Sequence, residues 1–183
     1  MEQNVSMKIN ELPSPTWNWL KVNETSIKWS TKIEPCEIAA EGDAVATETE
    51  QLSDIETGAG READAIFATE NTAKYQILAD NAGQDKTVRL HISGKKDAHT
   101  AGCVEIVAKE NSTLTVVMDS RVASDAVKVE DSTTEASLAV RVRMKVESGA
   151  SVRLIQVQMP QEHETLLSDI GGNLIGEGAK VEY

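Results

Sequence analysis

Aromatic side chains are scarce in this chain: one Phe, two Tyr and three Trp among 183 residues. A core with so few aromatics has to be filled by aliphatic side chains. Positive charge is in deficit, with 18 Lys and Arg against 30 Asp and Glu, a net charge of -12. That balance disfavours a nucleic-acid binder, which needs a basic face to displace counterions from phosphates. It also disfavours an anionic membrane surface as a partner. No stretch approaches the 18 or so consecutive apolar residues of a membrane-crossing helix. The opening MEQNVSMKINELP has neither a basic head nor an apolar segment, so it does not read as a secretory signal. Cysteine is limited to Cys36 and Cys103, far apart in the chain. Two such thiols without an export signal read as reduced cysteines, and the expected compartment is the cytoplasm.

Catalytic signatures are also missing. There is no G-x-S-x-G elbow and no P-loop; ISGKKD lacks the required frame. GAG at 58–60 is not a dinucleotide fingerprint. The acidic residues show no calcium-loop spacing. His91, His99 and Cys103 form the only histidine–cysteine grouping, and H-x7-H-x3-C matches no common zinc pattern. His99 and Cys103 are kept as weak metal candidates, and as a conceivable Cys–His pair, should they meet around a strand turn. No cofactor is expected on the chain alone.

What is present is β character, unevenly placed. Of 17 valines, 14 lie in residues 88–183. Valine is stiff at χ1 and favours a pleated, half-buried surface. Strands are expected at Ala73–Leu78, Thr87–Ile92, Val104–Ala108, Leu114–Met118, Leu138–Val146 and Val152–Met159. In the fifth, Leu138, Val140, Val142, Met144 and Val146 alternate with Ala139, Arg141, Arg143 and Lys145. That period of two predicts one aliphatic face and one largely cationic face. The phase slips between Leu154 and Ile155 in the last strand, which predicts a bulge or bend.

ENSTLTVV (110–117), SGASVRLI (148–155) and EGAKVEY (177–183) share a pattern: a turn on a small or polar residue, then alternating polar and apolar positions. Aligning Leu114, Val152 and Val181 gives spacings of 38 and 29 residues. Such a repeat fits β-helix coils with loops of variable length, or a sandwich of hairpins. The low aromatic count favours the β-helix, because stacked coils place like aliphatic residues above one another.

The N-terminal part is mixed. Residues 1–72 comprise an arm carrying Trp17, Trp19 and Trp29, an acidic connector and a short helix; residues 73–183 form the β core. The tryptophans are expected to dock the arm on the body, with a partner-binding arm as the alternative. Residues 34–57 are acidic and read as a solvated connector. GREADAIFATEN (60–71) reads as helix, with Ala63, Ile66, Phe67 and Glu70 on one face.

The segment NELPSPTWNWLKVNE (10–24) resembles the N-terminal segment of SufD-like proteins of the SUF iron–sulfur cluster assembly system. IETGAGREAD (55–64) is similar to a segment of the short members. VRLHISGKKDAHTAGCVEIVAKENSTLTVVMDS (88–120) and AVRVRMKVESGASVRLIQVQM (139–159) resemble successive coils of the SufB/SufD core. The resemblance implies a right-handed parallel β-helix core and a cytosolic complex with a SufB-like protein and a SufC-like ATPase. An iron–sulfur cluster would belong to that assembled complex. No family histidine or cysteine is matched by a residue of this chain, so none is carried over. The chain stops at KVEY, inside what reads as a strand, so its β-helix reads as incomplete. Gly176, Val181 and Tyr183 are therefore expected at an edge that pairs with another chain, a second copy included. Alternatives are a β-helical binding or structural module using a cationic face at Arg141, Arg143 and Lys145, and a thiol enzyme using Cys103 and His99.

Overall fold

The computed structural model describes residues 4–9, 25–43, 51–68, 70–80, 82–122, 136–161 and 164–183. Trp17, Trp19 and His163 lie outside the described residues, as does the whole segment 10–24. The chain is mainly β, with one short helix among the described residues. The strands are β1 (Asn4–Ile9), β2 (Thr25–Ser30), β3 (Glu34–Pro35), β4 (Glu37–Gly42), β5 (Ala73–Ala79), β6 (Asp85–Ser93), β7 (His99–Ala108), β8 (Thr113–Arg121), β9 (Ala136–Val146), β10 (Ser151–Gln158), β11 (Glu164–Leu174) and β12 (Lys180–Glu182). The helix, α1, is Arg61–Phe67.

From β5 onward the strands are dealt alternately to two sheets. One sheet runs β12-β10-β8-β6-β4, and the other runs β11-β9-β7 with β3 and β5 both alongside β7. Every pairing between β5 and β12 is parallel, while β4 joins β6 antiparallel. Register partners recur every 28 or 29 residues, as in Tyr75–Val104 and Val142–Ile170. The step that includes 123–135 is longer, 38 residues from Val104 to Val142.

The alternation expected of these strands fills the space between the sheets with rows of aliphatic side chains. Leu138, Val140, Val142, Met144 and Val146 are buried there with Val88, Leu90, Val104, Ile106, Leu114 and Val116. Leu114, Val152 and Val181 are register partners on three neighbouring strands, as the repeat predicts. The turns before them stack as well. Gly83, Asn111, Gly149 and Gly178 all have positive φ, between 59° and 79°. Asn111 N–H donates to the Ser148 carbonyl and Gly149 N–H to the Glu177 carbonyl, so each turn bonds to the next. A left-handed turn position admits Gly and Asn with least strain, which is why the repeat centres on them.

Three expectations need correction. Residues 34–57 are not simply a solvated connector. β4 pairs with β6, and Leu52 and Ile55 are buried against Val107. The apolar signal in EIAAEG is too short and too acidic to stand out, because Glu37 and Glu41 face solvent while Ile38 packs on the core. The second concerns β10, which has no bulge. Ser151–Gln158 runs in unbroken register with Thr113–Ser120, so the phase slip leaves Ile155 and Val157 on the solvent side, 42% and 41% exposed. The third is the cationic face of β9, which is not a surface. The β1–β2 hairpin and α1 cover it, burying Met7, Ile9, Trp29, Ala63, Ile66 and Phe67 against Ala101, Cys103, Ala139 and Leu167. Arg141 is only 3% exposed, and Arg143 and Lys145 are half-buried.

Candidate partner interface

The geometry of the last strands follows from how a parallel ladder alternates its backbone groups. Successive residues of one strand address opposite neighbours. Ser151 N–H donates to Ser112 on the β8 side, so odd-numbered residues of β10 face β8 and even-numbered ones face β12. β12 pairs only with Ser151–Arg153. The carbonyl of Leu154 and the backbone groups of Gln156 and Gln158 therefore face a side with no strand among the described residues. In β11, Ile175 N–H donates to the Val146 carbonyl, so the odd residues face β9 and Glu164, Leu166, Ser168, Ile170, Gly172 and Leu174 face outward.

The apolar residues around these edges are exposed to match. Ile155, Val157, Met159, Leu174 and Ile175 are all between 41% and 49% exposed, and Tyr183 is 77% exposed. The predicted edge residues sit here. Val181 packs on the core beside Val152. Gly176 turns the chain at φ 92°. The Tyr183 hydroxyl donates to Gln156 Oε1 at 2.9 Å. Glu182 accepts from Arg153 Nε at 2.7 Å and also from Lys180. The Lys180 bond and then the Arg153 bond hold its carboxyl below the ordinary carboxylate range.

A second constellation lies on the covered face of the other sheet. Asp169 on β11 is buried, and Arg141 on β9 reaches it with both Nε and Nη2 at 2.7 Å from Oδ2. The same Nη2 is 2.8 Å from Asp64 Oδ1 on α1, and the guanidinium lies 4.1 Å over the Phe67 ring. Thr57 Oγ1 donates to Asp169 Oδ2 at 2.7 Å and Ala59 N–H to Oδ1 at 2.8 Å. A cleft of about 290 Å³ opens beside this cluster, lined by Asp54, Glu56, Arg61, Asp64 and Arg143 among others. β11 and Asp169 are not among the strands and sites expected from the sequence. The usable signal was the period of two in Leu166, Ser168 and Ile170.

His99 and Cys103 are not brought together. They lie on one continuous strand, on the same face and four residues apart, which is about 13 Å of strand rise. His99 Nδ1 is 2.5 Å from Ser137 Oγ, and its ring lies 5.7 Å from Trp29. Cys103 is buried under the hairpin layer, and that burial raises its thiol pKa. Cys36 is buried too, and desolvation pushes its thiol up to about 12. Its sulfur fills the space a Cβ on Gly102 would need, so the two cysteines occupy opposite faces of the sheet. Among the described residues no group of three or more His, Cys, Asp or Glu could hold a metal ion. Nor is any described helix long and apolar enough to cross a membrane. No family model, no curated protein and no solved structure matches this chain.

Proposed function

We propose that this chain is an assembly scaffold that joins other chains along its sheet edges, a SufD-like component of an iron–sulfur cluster assembly complex. Its partners would be a SufB-like protein and a SufC-like ATPase, and the cluster would be the cargo of the complex. One observation carries the reading: the edge of Gln156–Gln158, unpaired among the described residues, beside exposed Ile155 and Val157. An exposed strand edge is a template for another chain. The alternation of strands β5–β12 between two sheets with parallel pairing, in steps of 28, 29 or 38 residues, fits the right-handed parallel β-helix that the resemblance implies. The test is an anaerobic pull-down with this chain as bait from lysate of its own source, read by mass spectrometry. Recovery of both a SufC-like ATPase and a SufB-like protein is the expected result; recovery of neither overturns the cluster-assembly reading.

A binding module outside cluster assembly is the second reading. The solvent face of the β4-containing sheet favours it, because Ile155 and Val157 line up there beside half-buried Val117 and exposed Arg153. No described strand residue on that face is aromatic. Sugars stack on aromatic faces, so a protein is the better ligand class. The buried Arg141 removes the ligand face first expected on β9.

A further inference from the structure

We infer that residues 55–59 are an edge guard, bolted to β11 through Asp169, that keeps an added strand off the middle of β11. Four contacts carry this. Gly58 N–H donates to the Ile170 carbonyl at 3.2 Å, and by the ladder parity above that carbonyl points to the outer side of β11. The Glu56 carbonyl lies over Gly171, where any Cβ would collide with it. Thr57 and Ala59 are both held by the Asp169 carboxylate, which is itself fixed by Arg141. Arg143 Nε donates to the Ile55 carbonyl at 3.1 Å, pinning the start of the segment.

The consequence is positional. The guard interrupts the outer edge of β11 at its middle, leaving Glu164, Leu166 and Ser168 outward on one side and Gly172 and Leu174 on the other, so that no added strand can run the length of β11. The edge of β10 at Gln156 and Gln158 carries no such interruption among the described residues. Covering an edge with a loop is a known defence against unwanted pairing. Here it makes pairing along the whole of β11 conditional on release of the segment.

This inference takes its use from the edge-joining function proposed above, but the guard can be read in the isolated chain. Thr57→Val removes one bond to Asp169, and Gly58→Pro removes the N–H that takes Ile170. Neither touches the Arg141–Asp169 pair, so both variants should melt cooperatively. Hydrogen exchange read by NMR is expected to show the Gly58 and Ala59 amides protected in the wild type. The Ala59 amide should exchange about tenfold faster or more in either variant. Sedimentation velocity should then show self-association of the variants at concentrations where the wild type shows less. Unprotected Gly58 and Ala59 amides in the wild type overturn the inference. So does faster exchange with unchanged association. A failed pull-down with these results intact would remove the cluster-assembly reading and leave the guard standing.

Discussion

Arg141 stands in the middle of a strand whose alternation, taken alone, puts its guanidinium in water. The fold buries it and supplies Asp169, Asp64 and the Phe67 ring around it. A buried pair of this kind adds little net stability over well-packed apolar residues, yet breaking it is costly, because one charge remains buried alone. Arg141→Leu is therefore expected to lose about 3–5 kcal/mol in urea unfolding. Adding Asp169→Leu should recover part of that loss. The remainder reflects the Ala59 N–H left without its acceptor, a cost of about 1–3 kcal/mol. The cysteines make a second residue-scale prediction. Burial raises both thiols, Cys36 to about 12. In the native protein at pH 8, neither should react appreciably with Ellman's reagent, and both should react in guanidinium. The sign for stability follows: a raised folded pKa contributes fully below the unfolded value, and for Cys36 that contribution is lost as pH climbs from about 9 through about 12.

At the scale of elements, the stacked turns decide how evenly the strands repeat. Gly149 has φ 67°, and a Cβ there would strike the Asn111 side chain of the turn below. Gly149→Ala should cost about 2 kcal/mol or more in thermal unfolding, from backbone strain plus the clash. Asn111→Gly keeps the turn and should cost far less. The short β12 depends on ion pairs at its end. Glu182, with its carboxyl held low by Lys180 and Arg153, supports β12 above the ordinary carboxylate pKa of 4.5 and loses that support as pH falls through the lower folded value. The Lys180 amide, which donates to Ala150, should lose hydrogen-exchange protection relative to its intrinsic rate over that acid range before the central strands do. High salt should shift the same amide in the same direction, since the pairs are surface pairs.

The described residues stack in three layers: the β1–β2 pair and helix, the β11-containing sheet, and the β4-containing sheet. Among the described residues, Ile155 and Val157 are exposed apolar side chains on the solvent face of the last of these. Charged residues placed on an edge discourage strand addition. Ile155→Lys with Val157→Lys changes only solvent-facing positions, so stability should stay within about 0.5 kcal/mol per site. Capture of partners in the pull-down should fall by about tenfold, and undiminished capture would place the contact elsewhere.

The sequence by itself determined the β strands from residue 73 to 159, because each carries its own alternation and its own turn residues. It determined that the core is aliphatic, and it made the register of Leu114, Val152 and Val181 legible through a repeat that stacking enforces. It did not reveal β11, whose two glycines look like a turn until the Glu56 carbonyl is seen over one of them. Nor did it reveal that Ile155 faces water in an unbroken strand, since a phase slip and a bulge look alike in one dimension. Only the tertiary structure decided which face of β9 is covered. Alternation says that Arg141 and Val142 point opposite ways, while the layer packed on each side decides which of those ways is inside. It also decided that residues 55–59 meet β11, a contact across about a hundred residues that no local pattern encodes.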